Sequence, residues 1–193
     1  MNVYKKALPA AAAAAALAVL TAAPASAAAP AAATATIRIE RGYTESLREW
    51  AGIQFTCPAN QVLTGRSHYG DENAITTYHC SWIYINDQQV QVSLGDWDAG
   101  QKESSSRFTA PADHVLAGRW HTGDENGRTK YRVATLHWQG KQVRLTSPGW
   151  SGGLKESRHS WDAGSGQVMT GRSHSGDENG TTKYQYATVT VDG

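Results

Sequence analysis

Gly65-Arg66-Ser67-His68-Tyr69-Gly70-Asp71-Glu72-Asn73 returns as Gly118-Arg119-Trp120-His121-Thr122-Gly123-Asp124-Glu125-Asn126. It returns again as Gly171-Arg172-Ser173-His174-Ser175-Gly176-Asp177-Glu178-Asn179. Both offsets are 53 residues, so no insertion separates the copies. A repeat of this size cannot bury its apolar face alone, so neighbouring units must share a core. Ungapped alignment divides the chain into units 34–86, 87–139 and 140–193.

Working outward from the motif, each unit shows apolar residues at period two and no sustained helical pattern. Examples are Ile37-Arg38-Ile39, Val90-Gln91-Val92, Val143-Arg144-Leu145 and Thr188-Val189-Thr190-Val191. A Gly-rich turn follows the first strand and carries Trp97 and Trp150 in the second and third units. Lys102-Glu103-Ser104 and Lys155-Glu156-Ser157 come next, then Phe55, Phe108 or Trp161. The run into the motif and a closing strand after Tyr78, Tyr131 or Tyr184 complete the unit. This predicts an all-β, pseudo-threefold single domain over residues 35–193, built from roughly twelve short strands. A β-trefoil fits that count best, and a threefold β-prism of three four-stranded sheets is the alternative.

Ahead of the repeats, Lys5 and Lys6 precede an Ala-rich apolar run that ends near Ala25-Ser26-Ala27. That is the layout of a secretory signal peptide over residues 1–27, with an Ala/Pro lead-in over 28–34. The run is shorter than the roughly 20 residues of a membrane span, so no membrane insertion is expected. Without residues 1–27 the balance is 16 basic against 17 acidic residues. No basic stripe remains for a phosphate backbone, which argues against nucleic acid as a partner. In an exported chain Cys57 and Cys80, the only two cysteines, are expected to pair.

Val62, Gly65, Arg66, His68, Gly70, Asp71, Glu72, Asn73, Thr76 and Tyr78 have identical counterparts in all three units. Turn chemistry accounts for part of this, since glycine supplies positive φ while Asp and Asn bond their own backbone. A structural clamp from Arg66 to Asp71 or Glu72 would account for more. A hairpin turn needs only two or three special residues, however. Arg, His, Asp, Glu and Asn on one loop suit a polyhydroxylated ligand, whose hydroxyls both donate and accept. The expected contacts are Arg66, His68, Asp71, Glu72, Asn73 and Tyr78 in the first unit. In the second they are Arg119, His121, Asp124, Glu125, Asn126 and Tyr131, and in the third Arg172, His174, Asp177, Glu178, Asn179 and Tyr184. Trp97 and Trp150 would offer aromatic faces to the sugar ring.

Other chemistries fit less well. The Asp-Glu-Asn run lacks the spacing of a calcium loop. A zinc site from His68, His121 and His174 would need all three to converge, whereas histidines so near a hairpin tip are expected to point outward. Adjacent carboxylates such as Asp71-Glu72 face opposite ways in an extended chain, poor geometry for a hydrolytic pair. The reading is therefore a binding protein rather than an enzyme, with no metal and no cofactor. The loops would act as three shallow sites that gain avidity together. The alternative is a secreted protein-binding module or inhibitor that uses the same loops.

The tandem Gly-Arg-x-His-x-Gly-Asp-Glu-Asn-Gly-x-Thr-x-Tyr units on an exported chain resemble the Streptomyces haemagglutinin type of lectin. The resemblance covers nearly all of the chain after the signal. It implies a secreted lectin that recognises cell-surface glycans ending in galactose or L-rhamnose, as on blood-group-B cells, with the motif residues as sugar contacts. The first unit departs from the pattern. It has Ala74 where the others have Gly127 and Gly180, Thr44 where they have Trp97 and Trp150, and Trp50-Ala51 where they have Glu103-Ser104 and Glu156-Ser157. Two strong sites and one weaker one are expected.

Overall fold

The computed structural model describes Met1, residues 34–71 and residues 73–191. Residues 2–33, which cover the expected signal peptide after Met1 and most of the expected lead-in, and Glu72 lie outside the described residues. Each unit has four principal strands. The outer strand is Ile37–Arg48, Gln91–Trp97 or Arg144–Trp150. A donated strand follows at Phe55–Thr56, Arg107–Thr109 or Arg158–Asp162. The motif strand is Gln61–Tyr69, His114–Thr122 or Gln167–Ser175. The return strand is Ile75–Ile85, Arg128–Trp138 or Thr181–Thr190.

Outer, return and motif strands of one unit pair antiparallel in that order, and the fourth strand comes from another unit. Unit one gives Phe55–Thr56 to the motif strand of unit two, and unit two gives Arg107–Thr109 to unit three. Unit three gives Arg158–Asp162 back to unit one. The exchange is cyclic, so each motif strand is hydrogen-bonded on both edges. The fold is all-β and pseudo-threefold. It contains three separate antiparallel sheets, each with four principal strands.

The donated strand explains the first glycine of the motif. A Cβ on Gly118 would stand 2.4 Å from the carbonyl oxygen of Phe55, and one on Gly171 would stand 2.4 Å from that of Phe108. Only glycine admits a neighbouring backbone this closely. The second motif glycine serves the turn: Gly70, Gly123 and Gly176 have φ of 123°, 82° and 103°.

Two apolar clusters line the interior, and both draw on every unit. One gathers Val62, Val115 and Val168 with Ile83, Leu136 and Val189. The other gathers Leu63, Leu116 and Met169 with Tyr78, Tyr131 and Tyr184. In the second cluster each donated strand sets an aromatic against its own unit's tyrosine. Phe55 stacks on Tyr78 at 4.7 Å, Phe108 on Tyr131 at 4.9 Å and Trp161 on Tyr184 at 4.8 Å. Cys57 and Cys80 form a disulfide with Cα atoms 5.8 Å apart. On the chain-entropy model, closing a loop of that size stabilises by about 3 kcal/mol.

Candidate functional site

Motif residues two apart on a strand face the same way, so Arg66 and His68 point together, as do Arg119 with His121 and Arg172 with His174. They point into the protein. The three arginines and three histidines are all buried. This corrects their expected place as surface contacts and the expectation of outward histidines. The physical reason is a set of partners that no single unit contains.

Those partners are glutamates. Arg66 pairs with Glu49 at 3.0 Å and with Glu156 at 2.9 Å. Arg172 pairs with Glu156 at 3.0 Å and with Glu103 at 2.6 Å. Arg119 pairs with Glu103 at 3.1 Å and closes the circuit through Glu49. Every arginine bridges two glutamates and every glutamate two arginines, so charge balances around a closed ring. The expected clamp from Arg66 to Asp71 within one hairpin does not form. Tyrosines buttress the ring: Arg119 donates to Tyr78 Oη at 2.9 Å, Arg172 to Tyr131 Oη at 3.3 Å and Arg66 to Tyr184 Oη at 2.9 Å. Each tyrosine therefore serves the next unit's arginine. All three lie inside the protein and none offers a free face to a ligand.

Sequence reasoning missed Glu49. By ungapped counting the column of Glu103 and Glu156 holds Trp50. Yet Glu49 N–H donates to Ala74 O at 3.1 Å, as Glu103 N–H does to Gly127 O and Glu156 N–H to Gly180 O at 3.0 Å. The equivalence is shifted by one residue. Unit two breaks its outer strand at Asp98-Ala99-Gly100 and resumes pairing at Gln101, opposite Thr129. In unit one the strand runs unbroken, and Leu47 already stands opposite Thr76. One residue fewer in that stretch brings Glu49 to the ring. A glutamate one position from its column was the available signal.

Electrostatics keep the ring ionised. Burial alone would raise Glu103, but Arg172 and Arg119 outweigh it and hold its pKa at about 2. Glu49 and Glu156 are likewise held well below the usual carboxylate range by their arginines against the opposing effect of burial. Burial, aided by the motif arginines, lowers His68, His121 and His174 and favours their neutral form. His159 is a second residue that the sequence did not flag. It accepts from Tyr184 Oη at 2.6 Å and lies 3.2 Å from Arg66 Nη1. Burial first, then Arg66, lowers its pKa to about 4.

Outside the ring, the remaining motif residues form the turns. Asp71, Asp124 and Asp177 each accept the N–H two residues on through Oδ1, at 3.0, 2.8 and 2.8 Å. Asn126 and Asn179 donate to Glu125 and Glu178 at 2.8 Å. Asp71, Asn73, Asp124, Asn126, Asp177 and Asn179 are exposed, while Glu125 and Glu178 are half-buried. The turns are tied to one another by backbone. Ser104 N–H donates to Glu125 O while Gly176 N–H donates to Ser104 O, and Ser157 links Glu178 to Gly70 in the same way. Gly123 N–H reaches Trp50 O at 3.3 Å.

All three motif histidines and the three ring glutamates line a single cavity of about 20 Å³, with Glu125, Asp177 and Glu178 on its outer side. The loops therefore share one end of the pseudo-threefold axis, where three separate sites were expected. Trp97 and Trp150 do not join them. They sit opposite Arg132 and Gln185, part-way along the return strands. The guanidinium of Arg132 lies over Trp97 at 5.9 Å and that of Arg107 over Trp150 at 4.9 Å. The exposed aromatics beside the turns belong instead to unit one, Tyr69 at 58% and Trp50 at 45% exposure. Comparison with family models, curated proteins and solved structures finds no match.

Proposed function

We propose that this chain is a secreted carbohydrate-binding protein of lectin type, whose contact surface is the loop end of the pseudo-threefold axis. One observation carries the reading. Asp71 and Asn73, Asp124 to Asn126 and Asp177 to Asn179 stand at one end of the fold, with the Asp and Asn side chains exposed, Glu125 and Glu178 half-buried, and Tyr69 and Trp50 next to them. Carboxylates and amides match the paired donor and acceptor character of vicinal hydroxyls, and an exposed aromatic covers the C–H face of a pyranose. The contacts are Asp71, Asn73, Asp124, Glu125, Asn126, Asp177, Glu178 and Asn179. The buried Arg, His and Tyr of the motif hold this surface in place.

Galactose or L-rhamnose as the preferred terminus, and export of the chain, rest on the motif's resemblance and on the N-terminal segment. A glycan array followed by calorimetric titration with the two free sugars tests both the class and the preference. Binding to galactose- or rhamnose-ended glycans, abolished by free sugar, is the expected result. An array with no bound glycan, together with capture of a protein partner insensitive to sugar, would replace this reading with the protein-binding one.

A further inference from the structure

We propose that the cavity on the pseudo-threefold axis is a receptor for a primary ammonium group, entered from the loop end between the Gly-Asp-Glu-Asn turns. Three buried side-chain atoms on its wall have neither a hydrogen-bond partner nor an arginine among the described residues: Glu103 Oε2, His121 Nδ1 and His174 Nδ1. His121 Nδ1 stands 3.6 Å from Glu103 Oε2, and His174 Nδ1 stands 3.6 Å from Glu156 Oε2. His174 donates its Nε2 hydrogen to Gly176 O at 2.9 Å, so in the neutral ring Nδ1 carries a lone pair. Glu156 Oε2 is met by Arg172 Nη2 at 3.0 Å, which leaves the His174 lone pair unmatched, whereas both arginines of Glu103 bind Oε1 and leave its Oε2 without a donor. Buried groups of this kind seldom stay unmatched. What belongs there is a group that brings hydrogens.

Charge and size narrow the choice. The glutamate–arginine ring cancels its own charge, and the arginines line a separate small space on the inner side, against Leu63, Leu116 and Met169. The cavity itself meets only glutamates, histidines and the outer carboxylates of Glu125, Asp177 and Glu178. Its field therefore favours a cation. A volume of about 20 Å³ holds one water-sized group, as about 10–15 Å³ suffices for a water. A guanidinium plane or a sugar ring is too large. No group of three or more His, Cys, Asp or Glu among the described residues is placed to hold a metal ion. An –NH₃⁺ group is a cation of the right size with three hydrogens about its axis, matching a threefold wall of acceptors. The first sector is the least open of the three, because Thr76 Oγ1 lies 3.0 Å from His68 Nδ1.

The amine arrives on a stem between the turns, and two carriers present that chemistry, a lysine side chain or an amino sugar. The proposal stands apart from the sugar reading. Galactose and L-rhamnose have no amine, so failure of either idea leaves the other untouched. The test is titration of the whole protein with methylammonium at constant ionic strength, followed by imidazole NMR signals and thermal midpoint. Tetramethylammonium, of equal charge but without N–H, is the control. Saturable shifts of the His121 and His174 rings and a raised midpoint with methylammonium alone are expected. The double variant D177N/E178Q, which keeps the ring intact, should bind methylammonium roughly tenfold more weakly, equivalent to about 1.4 kcal/mol. Equal responses to both cations, or no ring shifts at saturating methylammonium, would overturn the proposal and leave water as the occupant. Parallel titrations with Nα-acetyl-lysine amide and with galactosamine then identify the carrier by which of them reproduces the shifts.

Discussion

The two halves of the nine-residue motif are built differently. The strand half, Gly65 to His68 and its copies, reaches across units: Arg66 pairs with Glu49 of its own unit and with Glu156, His159 and Tyr184 of the third. The turn half, Gly70 to Asn73 and its copies, bonds mostly within itself, one or two residues away. The difference separates two causes of repetition. Symmetry demands three arginines, because a ring around a threefold axis closes only if every unit contributes. No such demand falls on Glu125 and Glu178, whose side chains, among the described residues, are hydrogen-bonded by the neighbouring asparagine alone. Under the proposed function, their repetition serves the ligand.

Breaking the ring is expected to have the largest effect. Glu103→Gln would leave Arg119 and Arg172 with one carboxylate each and an uncompensated buried charge. Removing one member of a buried ion pair costs about 3–5 kcal/mol. Urea unfolding should register a loss of that size, and a smaller one would mean that the ring is wetter than its burial suggests.

Acid attacks the same inner half. His159, lowered to about 4 from 6.5, binds a proton in the unfolded chain before the folded one does. Stability therefore falls as pH drops from 6.5 through 4. Glu103, lowered to about 2 from 4.5, is ionised in the fold while its unfolded counterpart protonates, so the loss continues from 4.5 down to 2. A shift of that size at His159 corresponds to roughly 3 kcal/mol. His159→Gln should lose about that much less stability than the parent between pH 7 and pH 4, measured by denaturant unfolding at both values. Identical profiles would assign the acid sensitivity to the motif histidines.

Much of the fold was legible in the sequence. The 53-residue offset, the period-two runs and the turn glycines already imply about twelve strands in a threefold arrangement, and the expectation of export led to the expectation of a disulfide, which forms. The strand exchange was not legible, because Phe55-Thr56 looks like any short strand and carries no address for unit two. The inner half of the site was hidden for a related reason. An arginine near a turn reads as exposed unless its counter-ions are known, and these lie at a sequence distance of 90 for Arg66 and Glu156. Glu49 sat one residue off its column, and His159 shares a column with Ser106 and Ile53, so repetition pointed to neither. The Asp and Asn of the turn half, whose bonds are local, lie at exposed turns as their sequence suggests.

Closure between units can be loosened without touching charge. Gly118→Ala would put a Cβ against the Phe55 carbonyl at 2.4 Å, where backbone and not a flexible side chain must move. Forcing extra volume into a packed site costs typically about 1–3 kcal/mol. The loss should be visible in urea unfolding and should be accompanied by a weakened stack of Phe55 on Tyr78, seen as a near-ultraviolet circular dichroism change. Unchanged stability would show that the donated strand is more loosely held than its pairing implies.

The smallest effect on stability tests the outer half most sharply. Glu178→Gln preserves shape, removes one charge and leaves Asn179 a carbonyl oxygen to donate to at the same place. Surface changes of this kind stay within about 0.5 kcal/mol. If the turn half exists only to shape the turn, the variant should match the parent in every assay. If its carboxylates contact a ligand, calorimetric titration with the preferred sugar should weaken while the unfolding curve stays put. A loss of stability instead would place Glu178 with the buried ring and erase the distinction between the two halves.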